Sequence, residues 1–379
     1  MQFHSITNLL RNLFFEKDFV IPKIYKLSQS EKNTFTDYVS KCRIESFFLK
    51  QIDSNLVKES LGQKNYFKLK NNGKIRTIRT LENLRFAEKI KRELNGRNIS
   101  NIFLKGINMH KYYFQDKPAM RPISDIDILI NKDDLIDVIG ICDTLGFDVS
   151  RWSSMQKEGL ELYRNPNPFH KNGQAQIDIH TTLKGSIFHD KYDFNEFAKY
   201  LIKQEINYCN VEDLFINCVM HGTRQSIYNV GPIFILDLIQ FFSDTNIDWK
   251  NVSRKIERYG LQSEMSYILK YFENKIHYPS ELEKFAKSVD FDHESLNLIF
   301  LSQPKNSSLF SIKTADGIKF LINKIFSKKY IKDHNFQKFT FVDFVKNILD
   351  LIKRHLLPLK SLNGEIIVSK IRFEILRRK

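Results

Sequence analysis

The sequence predicts an α+β fold in which a small α/β core lies between an N-terminal and a C-terminal helical region. Two observations support this prediction. Apolar residues recur at helical spacing near both ends of the 379-residue chain, whereas short β-like runs alternate with one helix in its middle. This length is typical of two or three domains. We therefore expect a mainly helical region over 1–98, the core over 99–192 and a helical domain with a basic tail over 193–379.

The N-terminal region combines helical segments with one hairpin signal. The stretch 66–78 alternates around Asn72-Gly73, a dipeptide typical of tight β-turns, and this predicts a β-hairpin. The following segment regains helical spacing and stops at Asn95-Gly96, residues that commonly end helices. The helices predicted in this region cover 6–15, 35–52 and 81–94.

The core and the region after it are distinguished by their periodicity. Four strands are predicted in the core, over 99–104, 125–130, 147–152 and 175–180. The helix between them covers 133–145 and ends before Gly146. Beyond the core, apolar residues at helical spacing predict helices over 194–204, 212–221, 232–243, 249–259, 263–272, 279–288, 316–326 and 341–356.

Composition and motifs argue against several classes of protein. The cysteines are widely spaced and form no CxxC pair, so we expect small buried hydrophobes in a reducing compartment. No GxSxG, HExxH, P-loop or GxGxxG pattern occurs, which argues against serine hydrolases, zinc proteases of that type, Walker-type NTPases and dinucleotide-binding proteins. No apolar stretch approaches the roughly 20 residues that span a bilayer, and no signal peptide is recognised. We therefore expect a cytoplasmic protein.

The net charge of +15 is concentrated at the two ends of the chain. Residues 1–100 carry 20 basic and 10 acidic side chains, and residues 301–379 carry 17 and 6. On the hairpin and helix over 64–92, basic residues with interleaved aromatics could follow a nucleic-acid backbone. The amphipathic and basic stretch 341–379 could lie on an anionic membrane surface, although such aromatic patterns more often form core. A third explanation of the basic net charge is a composition biased by an AT-rich genome.

The most distinctive motif is Ser124-Asp125-Ile126-Asp127. Residues two apart on a strand share a face, so Asp125 and Asp127 project side by side. Two such carboxylates repel each other unless a cation lies between them, and hard oxygen ligands suit Mg²⁺. Acidic pairs also occur on solvated strand edges. The apolar residues around this pair indicate that the opposite face is buried, which would place the acidic face in a cleft.

Two further segments extend this candidate site. The strand 175–180 carries Asp178 and His180, and Asp178 would complete a three-carboxylate cluster if this strand pairs with the first. His180 would then contact substrate or orient a carboxylate, or be an ordinary satisfied polar residue. The strand 99–104 ends at Lys105-Gly106, where glycine lets the backbone approach a phosphate that Lys105 could neutralise.

Taken in order, these motifs resemble the uncharacterised nucleotidyltransferase family, part of the DNA polymerase β-like nucleotidyltransferase superfamily. The residues that carry the resemblance are Phe103-Leu104-Lys105-Gly106, Tyr112-Tyr113, Arg121, Ser124-Asp125-Ile126-Asp127-Ile128-Leu129-Ile130, Leu145-Gly146-Phe147 and Ile177-Asp178-Ile179-His180. The resemblance is strong over about residues 85 to 190 and looser to about residue 260. Ile107 departs from the superfamily pattern, in which the glycine is followed by Gly or Ser.

The resemblance implies a mixed-sheet nucleotidyltransferase core that transfers a nucleoside monophosphate from a nucleoside triphosphate to a hydroxyl acceptor and releases pyrophosphate. Asp125 and Asp127 would hold Mg²⁺, or Mn²⁺ in its place, and Asp178 would be the third metal-binding carboxylate and assist deprotonation of the acceptor. The residues expected to bind the nucleotide are Lys105, Gly106, Arg121, Ser124, His180 and His221. The acceptor could be a small molecule or sugar, a protein hydroxyl or an RNA end.

Alternatives stay open at three points. Arg121 either contacts the triphosphate or pairs with an acid as a structural residue. His221 either contacts nucleotide or acceptor, oriented by Asp237, or forms with Asp237 a buried pair that joins two helices. For the whole chain, the alternative is an RNA-binding or scaffold protein with a catalytically idle nucleotidyltransferase fold.

Overall fold

A computed structural model describes residues 3–150, 169–171, 175–183, 195–204, 207–225, 230–286, 296, 300 and 301. The helices predicted over 316–326 and 341–356 and the basic C-terminal tail lie outside the described residues. The N-terminal helices are α1 (Phe3–Phe15), α2 (Val20–Tyr25), α3 (Gln29–Lys41), α4 (Glu45–Gln51), α5 (Ser54–Leu61) and α6 (Gln63–Gly96), with a 3₁₀ turn at Lys17–Phe19.

Polar caps and one left-handed residue set the boundaries of the N-terminal helices. Ser28 begins α3 with a capping box that it shares with Glu31, and Asp53 caps α5 through its carboxylate. The single helix predicted over 35–52 is divided into α3 and α4, because Arg43 adopts a φ of 60° between them. Helical φ values are negative, so the chain must turn at this residue.

Helix α6 runs for 34 residues through the segment that was predicted to form a hairpin. Gly73 lies inside this helix, and a Cβ added there would come within 2.7 Å of Ser46 Oγ on α4. The neighbouring Asn72 Nδ2 donates to Ser40 Oγ, 3.1 Å away. The hairpin prediction is therefore wrong. The Asn-Gly pair allows close packing between helices here and does not form a turn.

The described strands form one mixed sheet in the order β1-β2-β4-β3. The strands are β1 (Asn101–Phe103), β2 (Ile126–Ile130), β3 (Phe169–Lys171) and β4 (Ala175–His180). β2 pairs with β4 in parallel, whereas β1 and β3 join the two edges antiparallel. The α+β prediction with a small mixed sheet is confirmed. Of the strand predicted over 147–152, the described part forms a single bridge, Asp148 with His170.

Short helical segments surround the sheet, and further helices follow it. Helix α7 (Lys105–Met109) continues into a π-helical turn at His110–Phe114, and α8 (Leu135–Thr144) follows a 3₁₀ turn at Lys132–Asp134. The later helices are α9 (Asn195–Ile202), α10 (Val211–Met220), α11 (Pro232–Phe242), α12 (Trp249–Arg258) and α13 (Gln262–Phe272). A π-helical turn at His221–Gln225 follows α10, and 279–288, predicted as an α-helix, contains a 3₁₀ segment at Ser280–Phe285.

Two hydrophobic cores hold the sheet in place. The larger joins the N-terminal helices to the helices after residue 195, with Phe35, Phe215 and Tyr271 among its fully buried side chains. The smaller packs β1, β2 and β4 against α8 and the second half of α6. Ile107, the departure from the superfamily pattern, is 3% exposed in this smaller core. None of the described helices is long and apolar enough to cross a membrane. The division of the chain at residues 98 and 192 stays a prediction.

Candidate active site

The candidate site lies on one face of the two central parallel strands. Asp127 of β2 pairs with Asp178 of β4, so their side chains project on the same face of the sheet. Strand β2 is buried along its length, whereas β4 alternates between buried and half-buried residues. Asp127 is 2% exposed and Asp178 is 24% exposed. The register therefore places one fully buried carboxylate beside one that solvent can reach.

Three side chains at this face offer ligand atoms that lie within 4.8 Å of one another, those of Asp127, Asp178 and His180. His180 Nε2 is 2.9 Å from Asp127 Oδ1 and 3.4 Å from Asp178 Oδ2. Asp125, the other carboxylate of the motif, is not part of this close group. Its Oδ1 instead accepts a hydrogen bond of 2.8 Å from the exposed Ser124 hydroxyl. The site thus consists of an Asp-Asp-His group with Asp125 beside it.

Lys105 brings a positive charge to the buried end of the group. Its Nζ lies 2.5 Å from Asp127 Oδ1, and its φ of 47° is left-handed. Burial alone would raise the pKa of Asp127, but Lys105 and His180 outweigh it and hold this pKa well below its usual range. Burial likewise opposes the charge on Lys105, yet the surrounding carboxylates raise its pKa above the ordinary value. Both shifts favour the charged forms of Asp127 and Lys105.

The other two carboxylates are in the opposite electrostatic situation. Burial raises the pKa of Asp125, and repulsion from Asp127 adds to this effect. Burial also raises the pKa of Asp178, with His180 opposing the shift and Asp127 adding to it. Both carboxylates would be more stable with additional positive charge nearby. This donor set, hard oxygen atoms with an unfavourable charge balance, fits a divalent cation such as Mg²⁺ or Mn²⁺.

Arg121 and Gly106 form a buried contact behind this site. Arg121 Nε and Nη2 donate to the two carboxylate oxygens of Asp237 at 2.7 and 2.8 Å. A Cβ on Gly106 would come within 2.8 Å of Arg121 Nη1, so the glycine leaves room for the guanidinium. Burial alone would lower the pKa of Arg121, but Asp237 more than offsets this effect. The bidentate pair thus joins the segment before β2 to α11.

Of the other predicted residues, His221 begins the π-helical turn after α10 and is half-buried. Asp237, which sequence reasoning assigned to orienting or pairing with His221, accepts both hydrogen bonds of Arg121. The structure thus places the predicted acid partner of Arg121 on α11.

Sequence reasoning missed one cation near the acidic motif. Arg43 lies between α3 and α4, and its charge interacts with that of Asp125. Nothing in the local sequence signals this proximity, because 81 positions separate Arg43 from Ser124. The only signal in the sequence is the absence of a glycine at this helix end, where glycine is the usual residue and Arg43 stands instead.

Paired carboxylates and an imidazole on one face of a mixed sheet, with a lysine beside them, form a candidate site for a metal ion. The sequence model of a family described as uncharacterised nucleotidyltransferase matches residues 28–274, more than half of the chain. The chain therefore belongs to this family. No curated protein and no solved structure matches it significantly.

Proposed function

We propose that the protein is a divalent-metal-dependent nucleotidyltransferase that transfers a nucleoside monophosphate from a nucleoside triphosphate to a hydroxyl acceptor. The observation that carries the proposal is the pairing of Asp127 with Asp178 across parallel strands, beside His180 and Lys105. Membership of a nucleotidyltransferase family supports a nucleotide as one substrate. The geometry supports a site that neutralises phosphate charge, which is the main requirement of this class of reaction.

Mg²⁺ or Mn²⁺ is the cofactor that these residues fit best. We assign Asp127 and Asp178 as its ligands, with Asp125 as the additional carboxylate on the same strand. When bound, such a cation would supply Lewis acidity to the phosphate oxygens and neutralise the developing charge. His180 donates its Nε2 proton to Asp127 and so orients that carboxylate.

Individual residues of the chain then have separate roles in the reaction. Asp178 accepts the proton of the acceptor hydroxyl, because it is the carboxylate of the close group that solvent can reach, with 24% of its side chain exposed. The acceptor oxygen forms a bond to the α-phosphorus, and the bond from that phosphorus to the pyrophosphate oxygen breaks. Lys105 would contact the triphosphate, because its Nζ lies beside the carboxylate of Asp127 at the candidate site.

The remaining predicted residues take two kinds of role in this proposal. Ser124 and His221 contact the nucleotide or the acceptor. Gly106 and Arg121 are positioning residues, because the guanidinium is bound to Asp237 and fills the space that Gly106 leaves.

The test is nucleotide transfer with each of the four α-labelled nucleoside triphosphates, Mg²⁺ or Mn²⁺ and a cell extract as the source of acceptor. We expect one fraction to become labelled, and Asp127→Asn or Asp178→Asn to reduce labelling by about 100-fold. Asp137→Asn is the matched control, since Asp137 is an exposed acid on α8. Undiminished labelling by Asp127→Asn would contradict the proposal. RNA binding with a steep salt dependence, unchanged in Asp127→Asn and without any labelling, would support the alternative of an idle core.

A further inference from the structure

A cavity of about 310 Å³ opens beside the acidic motif. Three arginines line it, and they come from two separate parts of the N-terminal region. The polar lining residues are Arg43, Arg76, Arg79, Asn83, Ser124, His170 and Gln176. The cavity therefore lies between the turn after α3, the middle of α6, the segment before β2, strand β3 and the start of β4.

The cavity carries positive charge that the surrounding protein neutralises only in part, through Glu45 at Arg76 and Asp125 near Arg43. Arg76 is bound to the Glu45 carboxylate at 2.9 Å and to the Ser40 carbonyl oxygen at 2.8 Å. Within the described part of the chain, no side-chain hydrogen bond or ion pair engages Arg43 or Arg79. Two guanidinium groups thus face one small cavity with their donors available. Guanidinium forks match the geometry of phosphate oxygens and bind them through paired hydrogen bonds.

The backbone at Arg43 gives a second, independent reason to assign a role to its side chain. The last turn of α3 closes with a bond from Ile44 N to the Val39 carbonyl oxygen, 3.3 Å long. Arg43 occupies the left-handed position of this motif with a φ of 60°. Glycine is the residue that normally takes this position, because a side chain there is strained. Strain of this kind persists only where the surrounding structure enforces it, and it is common at functional sites.

The wall of the cavity that faces the acidic motif is held in place by hydrogen bonds from α6. Asn83 Nδ2 donates to the Ile123 carbonyl oxygen at 3.0 Å, and Thr80 Oγ1 accepts from Ile123 N at 3.0 Å. Ser124 follows directly and lines the cavity with its neighbours. A ligand in the cavity would therefore meet a preorganised surface rather than a free loop.

The cavity and Lys105 adjoin different residues of the acidic motif. Ser124 borders the cavity and binds Asp125, whereas Lys105 binds Asp127, two residues further along the chain. Two residues of extended chain span about 6.6 Å. An anionic group held by the arginines would thus lie beside the reaction centre without displacing the phosphates assigned to Lys105.

We propose that this arginine-lined cavity binds the phosphate group of a small phosphorylated acceptor and so presents the acceptor's hydroxyl to the carboxylate site. The proposal rests on the proposed function and narrows its acceptor from any hydroxyl compound to a phosphate-bearing small molecule. The cavity volume suits such a molecule. A long nucleic-acid strand would need a continuous basic groove. The arginines instead line a single cavity of about 310 Å³.

The test measures the binding of inorganic phosphate to the full chain in EDTA. The line width of the ³¹P NMR signal of phosphate reports this binding. We expect Arg43→Gly and Arg79→Gln each to weaken phosphate binding by about tenfold, the loss expected for a charge-assisted hydrogen bond. Arg43→Gly removes the side chain without adding backbone strain, so it should fold as well as the native chain. Lys74→Gln is the matched control, an exposed cation on α6 that does not line the cavity.

A competition experiment separates the acceptor from the nucleotide. We expect Mg²⁺–ATP to leave phosphate binding unchanged, and Asp127→Asn to lose nucleotide binding while it retains phosphate binding. Displacement of phosphate by Mg²⁺–ATP would overturn the proposal, because the arginines would then hold the nucleotide's own phosphates. Unchanged phosphate affinity in both arginine variants would overturn it as well. Arginine-dependent phosphate binding by a chain that binds no nucleoside triphosphate would contradict the proposed function and still support the anion site.

Discussion

Asp127 and His180 are joined across two neighbouring strands by a contact of 2.9 Å from the imidazole Nε2 to the carboxylate Oδ1. The same oxygen receives Lys105 Nζ at 2.5 Å. Because a carboxylate only accepts hydrogen bonds, both neighbours act as donors. Both contacts converge on Oδ1, so neither of these two donors engages Oδ2 of Asp127.

His180 can be tested through the affinity of the site for a metal ion. We expect His180→Asn to weaken Mn²⁺ binding by about 10- to 100-fold, because loss of an orienting hydrogen bond typically has an effect of this size. Isothermal titration calorimetry of the full chain measures it. His277→Asn is the control, since His277 is exposed and lies outside the site. An affinity for Mn²⁺ that does not change in His180→Asn would show that this imidazole does not support the metal ligands.

Lys105 is expected to stabilise the fold in the absence of metal. Its replacement in Lys105→Met leaves the buried Asp127 carboxylate without its closest cation, which should lower the free energy of unfolding in EDTA by about 3 kcal/mol. A divalent ion can replace that charge, so Mg²⁺ should stabilise the variant more than the native chain. Urea denaturation with and without Mg²⁺ measures both effects, and Lys132→Met is the exposed control. Equal stabilisation of variant and native chain by Mg²⁺ would contradict this account.

The central part of the site was accessible from the sequence because it depends on local alternation. A period of two placed Asp125 with Asp127 and Asp178 with His180, and the structure pairs Asp127 with Asp178 in register. The sequence could not show which of the two acids of the first motif, Asp125 or Asp127, belongs to the close group. His180 joins the close group and Asp125 does not, because side-chain directions at the end of a strand depend on neighbours such as Ser124.

The parts that sequence reasoning missed depend on contacts between distant segments. Gly73 was interpreted as a turn residue, yet its partner is Ser46 on another helix. A glycine is compatible with both situations, and only the packing of α4 on α6 decides between them. Arg121 pairs with Asp237, 116 positions away. The local sequence around Arg121 is consistent both with a contact to the triphosphate and with a structural pair with an acid, so it does not decide between them.

The Arg121–Asp237 pair is expected to be structural and can be measured by a double-mutant cycle. Asp237→Leu leaves a buried guanidinium without its partner and should cost about 3–5 kcal/mol of unfolding free energy. The double variant with Arg121→Met removes both charges, so it should be more stable than Asp237→Leu alone. Urea denaturation of the four chains gives the coupling energy. A coupling energy near zero would show that the pair contributes no specific stability.

His110 is expected to make the fold sensitive to mild acid. It is 1% exposed, its Nε2 lies 2.6 Å from the Arg121 carbonyl oxygen, and its Nδ1 is buried without a hydrogen-bond partner in the described part of the chain. Because a carbonyl oxygen only accepts, Nε2 must carry the proton and Nδ1 is bare in the neutral ring. Burial lowers the pKa of His110 from 6.5 to about 4, with the hydrogen bond to the Arg121 carbonyl opposing the shift and the Arg121 charge adding to it.

The direction of the pH effect follows from this lowered pKa. Above pH 6.5 the imidazole is neutral in both states, so its contribution to stability is complete. As the pH falls from 6.5 towards 4, the unfolded chain binds a proton that the folded chain does not, and up to about 3 kcal/mol of unfolding free energy is lost. We expect His110→Gln to have a flatter dependence than the native chain in this window, measured by urea denaturation at a series of pH values. Parallel curves for the two chains would show that His110 titrates alike in the folded and unfolded states.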